Sequence, residues 1–398
     1  MRLHRLSDLG DLSGKCVIVR CDLNVPMEKG RIAEDTKIRA AAETIRALRK
    51  DGASCVLCSH LGEGKASETL RPVATRFSRV LSGTRVSFTD FRIGSEQLQR
   101  RLKRMKPGDV LLLENLRHYA GEQSNDPKFA AQLAACGDVY VNDAFAVSHR
   151  SHASVVAIVG LLPSAAGLLV EREIDALERV TDKARPPFIV LLGGAKIITK
   201  VPVIKKLLGM ADSVLLGGAV AQHFLVAQGY DVGGSLIDAE GVSAARQILR
   251  TQKQRNLTLP IDVVTGDPKG KRKEIRIVRI GPRPHEICPK NMSILDIGPM
   301  TIQAYAQQLR SAATLLWNGP MGQFERAPFH HGSVMLARVI ASRASGRAYG
   351  VVGGGETLEV LAKTHMAKYI DHASTGGGAM LAFIAGERMP ALEALRVK

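Results

Sequence analysis

The stretch FIVLLGGAKIITK, Phe188 to Lys200, decides how the chain is read. Five apolar residues run without a break into Gly193 and Gly194, followed by Lys196 and, four positions on, Lys200. An apolar run of this length reads as a strand buried on both faces. Glycines at its end let backbone approach a ligand closely, because no Cβ intervenes. If a helix starts at the glycines, the two lysines share one of its faces. A strand end, free N–H groups, a helix N-terminus and two ammonium groups together predict a phosphate site. The same residues also suit a plain strand-turn-helix with two surface lysines, so the rest of the chain must discriminate. Neither a GxxxxGK[ST] loop nor a GxGxxG fingerprint occurs.

Upstream the pattern repeats. KCVIVRCDLN, Lys15 to Asn24, is a strand that ends on Asp22 and Asn24. Thr36 to Lys50 follows as a helix with Ile38, Ala42, Ile45 and Leu48 on one side. Arg39 lies in its first turn, an unfavourable end for a cation, and so either faces a carboxylate or awaits an anion. ASCVLCSH exits at His60, VLLLEN is followed by Arg117, and DVYVND by His149 and Arg150. Alternating strands and helices predict parallel sheets covered on both faces, with the strand ends on one edge. Each polar residue alone reads as solvated surface. Their recurrence after successive strands suits a small, multiply anionic ligand, since guanidinium forks bind phosphate and carboxylate.

Pro163 to Val180 reads as a long helix between two similar strand-helix series. Downstream, SVLLGG, AATLLWNGPMG, YGVVGGGETL and HASTGGGA each carry glycines after an apolar run, able to aim N–H groups at phosphates. Glu356 within GGGET places a carboxylate where a Mg²⁺–nucleotide complex needs one. Asp267 to Lys273 reads as a hairpin tip between VVTG and EIRIVRI. Thr251 to Lys290 holds ten Lys/Arg against four Asp/Glu, a pattern that usually marks a solvated loop.

The 398 residues are enough for two domains, and 45% hydrophobic with 23% charged content is ordinary for a globular protein. The formal charge of +17 predicts anionic partners: phosphorylated metabolites, nucleotides, and through the basic surface also nucleic acid. The N-terminus lacks the apolar region of a signal peptide, and no stretch reads as a membrane span. The six cysteines include a single CxxC, Cys55 and Cys58, inside an apolar run, and read as reduced core thiols. A cytoplasmic monomer that does not engage membranes is expected.

Taken together, CDLNVP (21–26), DTKIRA (35–40), SHLG (59–62), LLLENLR (111–117), HRSHAS (149–154), LLGGAK (191–196), LDIGP (295–299), WNGPMGQFE (317–325), VVGGGET (351–357) and STGGGA (374–379) resemble the phosphoglycerate kinases in order and spacing. The resemblance spans about Lys15 to Leu395. It implies an α/β protein of two doubly wound, Rossmann-like parallel-sheet domains, joined by a long helix and separated by a cleft. Residues 1–163 would form the acceptor domain, with 380–398 returning to it, 164–184 the connecting helix and 185–379 the nucleotide domain. The implied reaction is reversible phosphoryl transfer between ATP and the carboxylate of 3-phosphoglycerate, with Mg²⁺, giving 1,3-bisphosphoglycerate and ADP. Asp22, Asn24, Arg39, His60, Glu63, Arg117 and Arg150 would bind the acceptor. Gly194, Lys196, Lys200, Gly217, Asn318, Glu325, Gly354, Gly355, Glu356 and Thr357 would bind nucleotide, with Glu356 on the metal. Arg39, Lys196, Gly355 and Gly378 would act at the transferred group. The chain departs from the family where Glu63 replaces an arginine, Gly64 a proline, Glu356 an aspartate, and Ala146-Val147 a Gly-Thr pair. The region 266–290 is basic where the family tends to be acidic. Two alternatives compete: a relative with a different small carboxylate as acceptor, and a catalytically weak paralogue that binds polyanions.

Overall fold

A computed structural model describes residues 1–251, 256–270 and 274–397. Lys271, Arg272 and Lys273, the centre of the basic hairpin tip, lie outside the described residues. Contacts divide the chain into two units, Met1–Asp175 with Arg388–Lys398, and Ala176–Glu387.

The first unit is built on a six-stranded parallel sheet. Its spatial order is Val86–Thr89, Val110–Leu113, Ser54–Cys58, Cys16–Cys21, Val139–Asp143, Ser164–Ala166. Ser54–Cys58, Val110–Leu113 and Val139–Asp143 are buried at every position, as continuous apolar runs require when helices cover both faces. Helix Thr36–Lys50 buries Ile38, Ala41, Ala42, Thr44, Ile45 and Leu48, a single stripe at helical spacing. The larger of these, Ile38, Ile45 and Leu48, contribute about 1.5–3 kcal/mol each when fully removed from water.

In the second unit the six parallel strands run Leu257–Thr258, Ser213–Leu216, Phe188–Leu192, Thr314–Asn318, Tyr349–Gly353, His372–Ser374. In chain order this is 3-2-1-4-5-6, the doubly wound order, reached without the dinucleotide fingerprint. Asp262–Gly266 forms an antiparallel hairpin with Ile275–Arg279, and Ser293–Ile297 pairs on its other side. The hairpin is the one expected between VVTG and EIRIVRI; its pairing with Ser293–Ile297 was not anticipated from the sequence.

The connecting helix differs from expectation. Ser164–Ala166 is an edge strand paired with Tyr140–Asn142, and the helix spans Leu168–Thr181. The small residues after Pro163 complete the sheet, and the periodic apolar residues begin only at Leu168. The division between units falls inside this helix, after Asp175. At the C-terminus, helix Gly378–Ala385 packs on helix Val201–Leu208 in the second unit, so the return to the first unit starts at Arg388, not at residue 380. There Ala391, Leu392 and Leu395 are buried, and Leu3 bridges Arg396.

Candidate functional site

In the first unit Cys16–Cys21 has Ser54–Cys58, the next strand of this sheet in the chain, on one side and the much later Val139–Asp143 on the other, and the crevice beyond the strand ends at such a reversal is where open α/β sheets take ligands. Arg20, only 1% exposed, organises this edge. Its Nε donates to Ser154 Oγ at 2.9 Å, its Nη1 to the Cys21 carbonyl, and its Nη2 to His60 Nδ1 at 3.1 Å. A guanidinium can only donate, so Nδ1 accepts and the His60 proton sits on Nε2. Burial, reinforced by Arg20, Arg117, Lys37 and Arg150, drives the His60 pKa far below its ordinary value, so the ring is neutral at neutral pH. Lys37 Nζ lies 2.7 Å from Asp22 Oδ2. Glu122, fully buried, accepts from Ser154 N–H and Oγ.

The loop after Ser54–Cys58 is fastened from several directions. Gly62 N–H donates to Asn24 Oδ1 at 3.0 Å, and the Gly62 carbonyl accepts from Arg117 Nη1. Glu68 Oε2 accepts from the N–H groups of Glu63, Gly64 and Lys65 at 2.9, 2.7 and 2.8 Å. These bonds, that of Lys65 first, lower the Glu68 pKa. Gly62 has φ +56°, which favours glycine, and a Cβ there would lie 2.2 Å from the Glu68 carboxyl and push that side chain off the three N–H groups. Held this way, Glu63 places Oε2 3.1 Å from Arg117 Nη1, whose side chain is 4% exposed against 81% for Glu63. Arg150 is exposed, and burial followed by the Arg117 charge lowers its pKa. Arg39 is tied elsewhere: Nε donates to Asp35 Oδ1 at 2.8 Å, and Arg76 shares the same carboxylate. The cation in the helix's first turn thus faces a carboxylate.

The second unit corrects the reading of the opening stretch. No helix begins at Gly193-Gly194; a 3₁₀ turn spans Ile198–Lys200 and the α-helix begins at Val201. Nor are the glycine N–H groups free. Gly193 donates to the Asn318 carbonyl at 2.9 Å and Gly194 to that of Pro320 at 2.7 Å. Gly193 has a packing role: a Cβ would meet the Pro320 carbonyl at 2.1 Å. The two lysines also differ. Lys196 is exposed, whereas Lys200 is buried, and burial lowers its pKa against the pull of Glu356. Lys200 Nζ and Glu356 Oε2 both border Gly194, 3.3 and 3.7 Å from where a Cβ would stand.

Among the described residues the N–H groups of Gly355, Glu356 and Gly378, at two other helix starts, take no partner, while that of Ala379 is spent on the Gly376 carbonyl at 2.9 Å. Helices Gly355–Thr364 and Gly378–Ala385 follow Gly354 (φ +97°) and Gly377 (φ +52°), and neither N-cap makes a side-chain bond. Asn318 Nδ2 donates to the Gly353 carbonyl at 2.9 Å, and Thr357 Oγ1 accepts from Gly319 N–H at 2.7 Å. Gly217 N–H is spent on the Leu192 carbonyl. These residues gather at the carboxyl ends of Phe188–Leu192, Thr314–Asn318 and Tyr349–Gly353, where this sheet reverses its order. Glu325 is exposed and makes no hydrogen bond or ion pair among the described residues.

Residues 6–387 match the phosphoglycerate kinase family model. The chain belongs to the phosphoglycerate kinase family. A phosphoglycerate kinase of Thermomicrobium roseum is 44% identical over 385 residues, covering 95% of this chain and 96% of that one. That of Desulforudis audaxviator is 42% identical over 392 residues, with 97% of each chain covered. Among solved structures, phosphoglycerate kinase from Pyrococcus horikoshii is similar with a TM-score of 0.88 at 34% identity, covering 99% of this chain and 98% of that one. The Coxiella burnetii enzyme gives 0.83 at 35%, with 99% of each covered. Members of this phosphoglycerate kinase family are phosphotransferases, and the two parallel-sheet α/β units expected from the resemblance are observed.

The structure also brings forward residues that sequence reasoning passed over: Arg20, Lys37, Glu122 and Ser154. Arg20 carried a legible signal, since an arginine inside the run CVIVRC must be buried with partners. Lys37 was hidden beside Arg39, and Glu122 by its distance in sequence. Cys55 and Cys58 are buried and free, with thiols pushed up to about 12 by burial. Among the described residues no helix is long and apolar enough to cross a membrane.

Proposed function

We propose that this chain catalyses reversible transfer of the γ-phosphoryl group of ATP to the carboxylate of 3-phosphoglycerate. The observation that carries the reading is the cationic edge of the first unit, where Arg117 and Arg150 flank a His60 held neutral. A carboxylate acceptor is already ionised at neutral pH, so the reaction needs no general base, and a neutral histidine serves as hydrogen-bonding partner rather than proton shuttle. What the transfer does need is positive charge around the transferring oxygens. Asp22, Asn24 and His60 would hold the acceptor's hydroxyl and carboxylate, Arg117 and Arg150 its phosphate. Arg39 would join them on leaving Asp35. The N-termini at Gly355 and Gly378 would receive nucleotide phosphates, with Lys196 and Lys200 beside them and Asn318, Thr357, Gly217 and Glu325 on the nucleotide's flank.

Glu356, exposed in the first turn of its helix and bordering Gly194, has the oxygen donor that a magnesium ion takes alongside phosphates, and would hold it there. Bound, such an ion neutralises phosphate charge. The free cysteines suit a reducing compartment, and the chain is taken to act in the cytoplasm as a monomer.

The test is a coupled assay with 3-phosphoglycerate and Mg-ATP, run beside other short carboxylates. Turnover on 3-phosphoglycerate above all others is expected. Turnover confined to a different carboxylate overturns the assignment of the acceptor.

A further inference from the structure

Part of the +17 charge sits on a surface that the kinase chemistry does not use. On the second unit a groove of about 610 Å³ runs beside helices Pro299–Ser311 and His331–Ala344, lined by Arg310, Arg338, Arg343 and Arg347 with Met335 and Val339. A second hollow of about 590 Å³, lined by Arg185, Lys368 and Tyr369, shares Gly346 and Arg347 with the first. Arg343 is engaged, donating from Nε to the Ala312 carbonyl at 2.7 Å. Lys368 Nζ stands 5.0 Å over the Tyr369 ring. The side chains of Arg185, Arg310, Arg338 and Arg347 are exposed and make no hydrogen bond or ion pair among the described residues.

No carboxylate lines the first groove. The second holds Asp371, whose Oδ2 already accepts from Gly350 N–H at 2.8 Å. A helix C-terminus accounts for Arg310 and Arg343, which lie in last turns. It does not account for Arg185, Arg338 and Arg347. Like charges gathered without counter-ions repel one another, and a polyanion would relieve that repulsion.

The location separates this surface from the nucleotide loops. Arg185 precedes strand Phe188–Leu192, and Arg347 precedes Tyr349–Gly353. The hollow therefore lies at the amino edge of the sheet, and the glycine loops lie at its carboxyl edge, about 17 Å away along a five-residue strand.

We infer that this surface binds the phosphodiester backbone of a single-stranded nucleic acid. Guanidinium forks match phosphate oxygens. The arginines line two joined hollows instead of converging on one point, which suits a chain of phosphates better than a single one. Met335 and Tyr369, each 42% exposed, offer apolar and aromatic faces for bases.

The test is fluorescence anisotropy of a labelled oligouridylate with the full chain, titrated with potassium chloride. The comparison is a variant carrying Arg185→Gln, Arg338→Gln and Arg347→Gln. These side chains bond nothing in the fold, so melting temperature and kinase turnover should match wild type. Affinity at low salt should fall tenfold or more. The slope of log K against log salt should flatten by about 2, at roughly 0.7 for each single-strand phosphate that is no longer neutralised. Unchanged binding by the triple variant overturns the inference. So does absence of oligouridylate binding by wild type at low salt, retention only on phosphatidylserine vesicles, or competition of the oligonucleotide with ATP.

Discussion

Glu63, where the resemblance implies an arginine in the family, has a partner in the structure. It is the counter-ion of the nearly buried Arg117. A carboxylate on that guanidinium competes with any anion bound there. Unit charges about 4 Å apart interact by roughly 1–4 kcal/mol depending on screening. At 81% exposure Glu63 belongs at the weak end. Glu63→Gln should therefore tighten 3-phosphoglycerate about fivefold, equivalent to about 1 kcal/mol, with little change in kcat. An unaltered KM would show that the pair does not compete with substrate. Lys196, exposed where Lys200 is buried, is free to follow charge in transit. Lys196→Ala should lower kcat about 100-fold or more and leave the ATP dissociation constant within about threefold. Lys200→Ala should weaken nucleotide binding more. Near-normal turnover of Lys196→Ala would remove it from the reaction.

At the scale of an element, the start of helix Leu168–Thr181 rests on two buried acceptors. Leu168 N–H donates to Thr44 Oγ1 and Leu169 N–H to Asp143 Oδ1. Asp143 is fully buried, and that burial raises its pKa to about 7 although the helix N–H bonds oppose it. A carboxyl whose folded pKa is raised binds more protons folded than unfolded, so its contribution favours folding below about pH 4 and is lost as pH rises towards about 7. At about 1.4 kcal/mol per pH unit the loss is of the order of 4 kcal/mol. Asp296 behaves alike in the second unit, also reaching about 7 by burial. Asp143→Asn keeps the acceptor for Leu169. It should make the urea midpoint fall less than wild type's between about pH 4.5 and 8. Parallel pH profiles for the two proteins would show that Asp143 is not held protonated.

For the whole molecule, the reading assigns one substrate to each unit, and ligands given singly should act separately. A ligand that binds only the folded state stabilises it by RT ln(1 + [L]/Kd). In hydrogen exchange, Mg-ADP should protect the loops around Gly194, Gly354 and Gly377 and leave residues 60–65 unchanged. 3-Phosphoglycerate should do the reverse. Protection of 60–65 by Mg-ADP alone would contradict the division of labour between units.

The order of elements was legible in the chain because burial on both faces demands continuous apolar runs. Strands at 16–21, 54–58, 110–113, 139–143, 188–192 and 314–318 stand out for that reason, each ending near a polar or glycine residue. Short motifs were legible too, since the positive φ at Gly62 and Gly354 favours glycine. Partnership was not legible. Which cation meets Glu63, and that Arg20 is buried on His60, depend on strand order in space. So does the use of the Gly193 and Gly194 N–H groups by Asn318 and Pro320, more than a hundred residues away in sequence. Hydrogen bonds and ion pairs act over about 3–4 Å, and residues far apart in sequence come that close only once the sheets have set their neighbours.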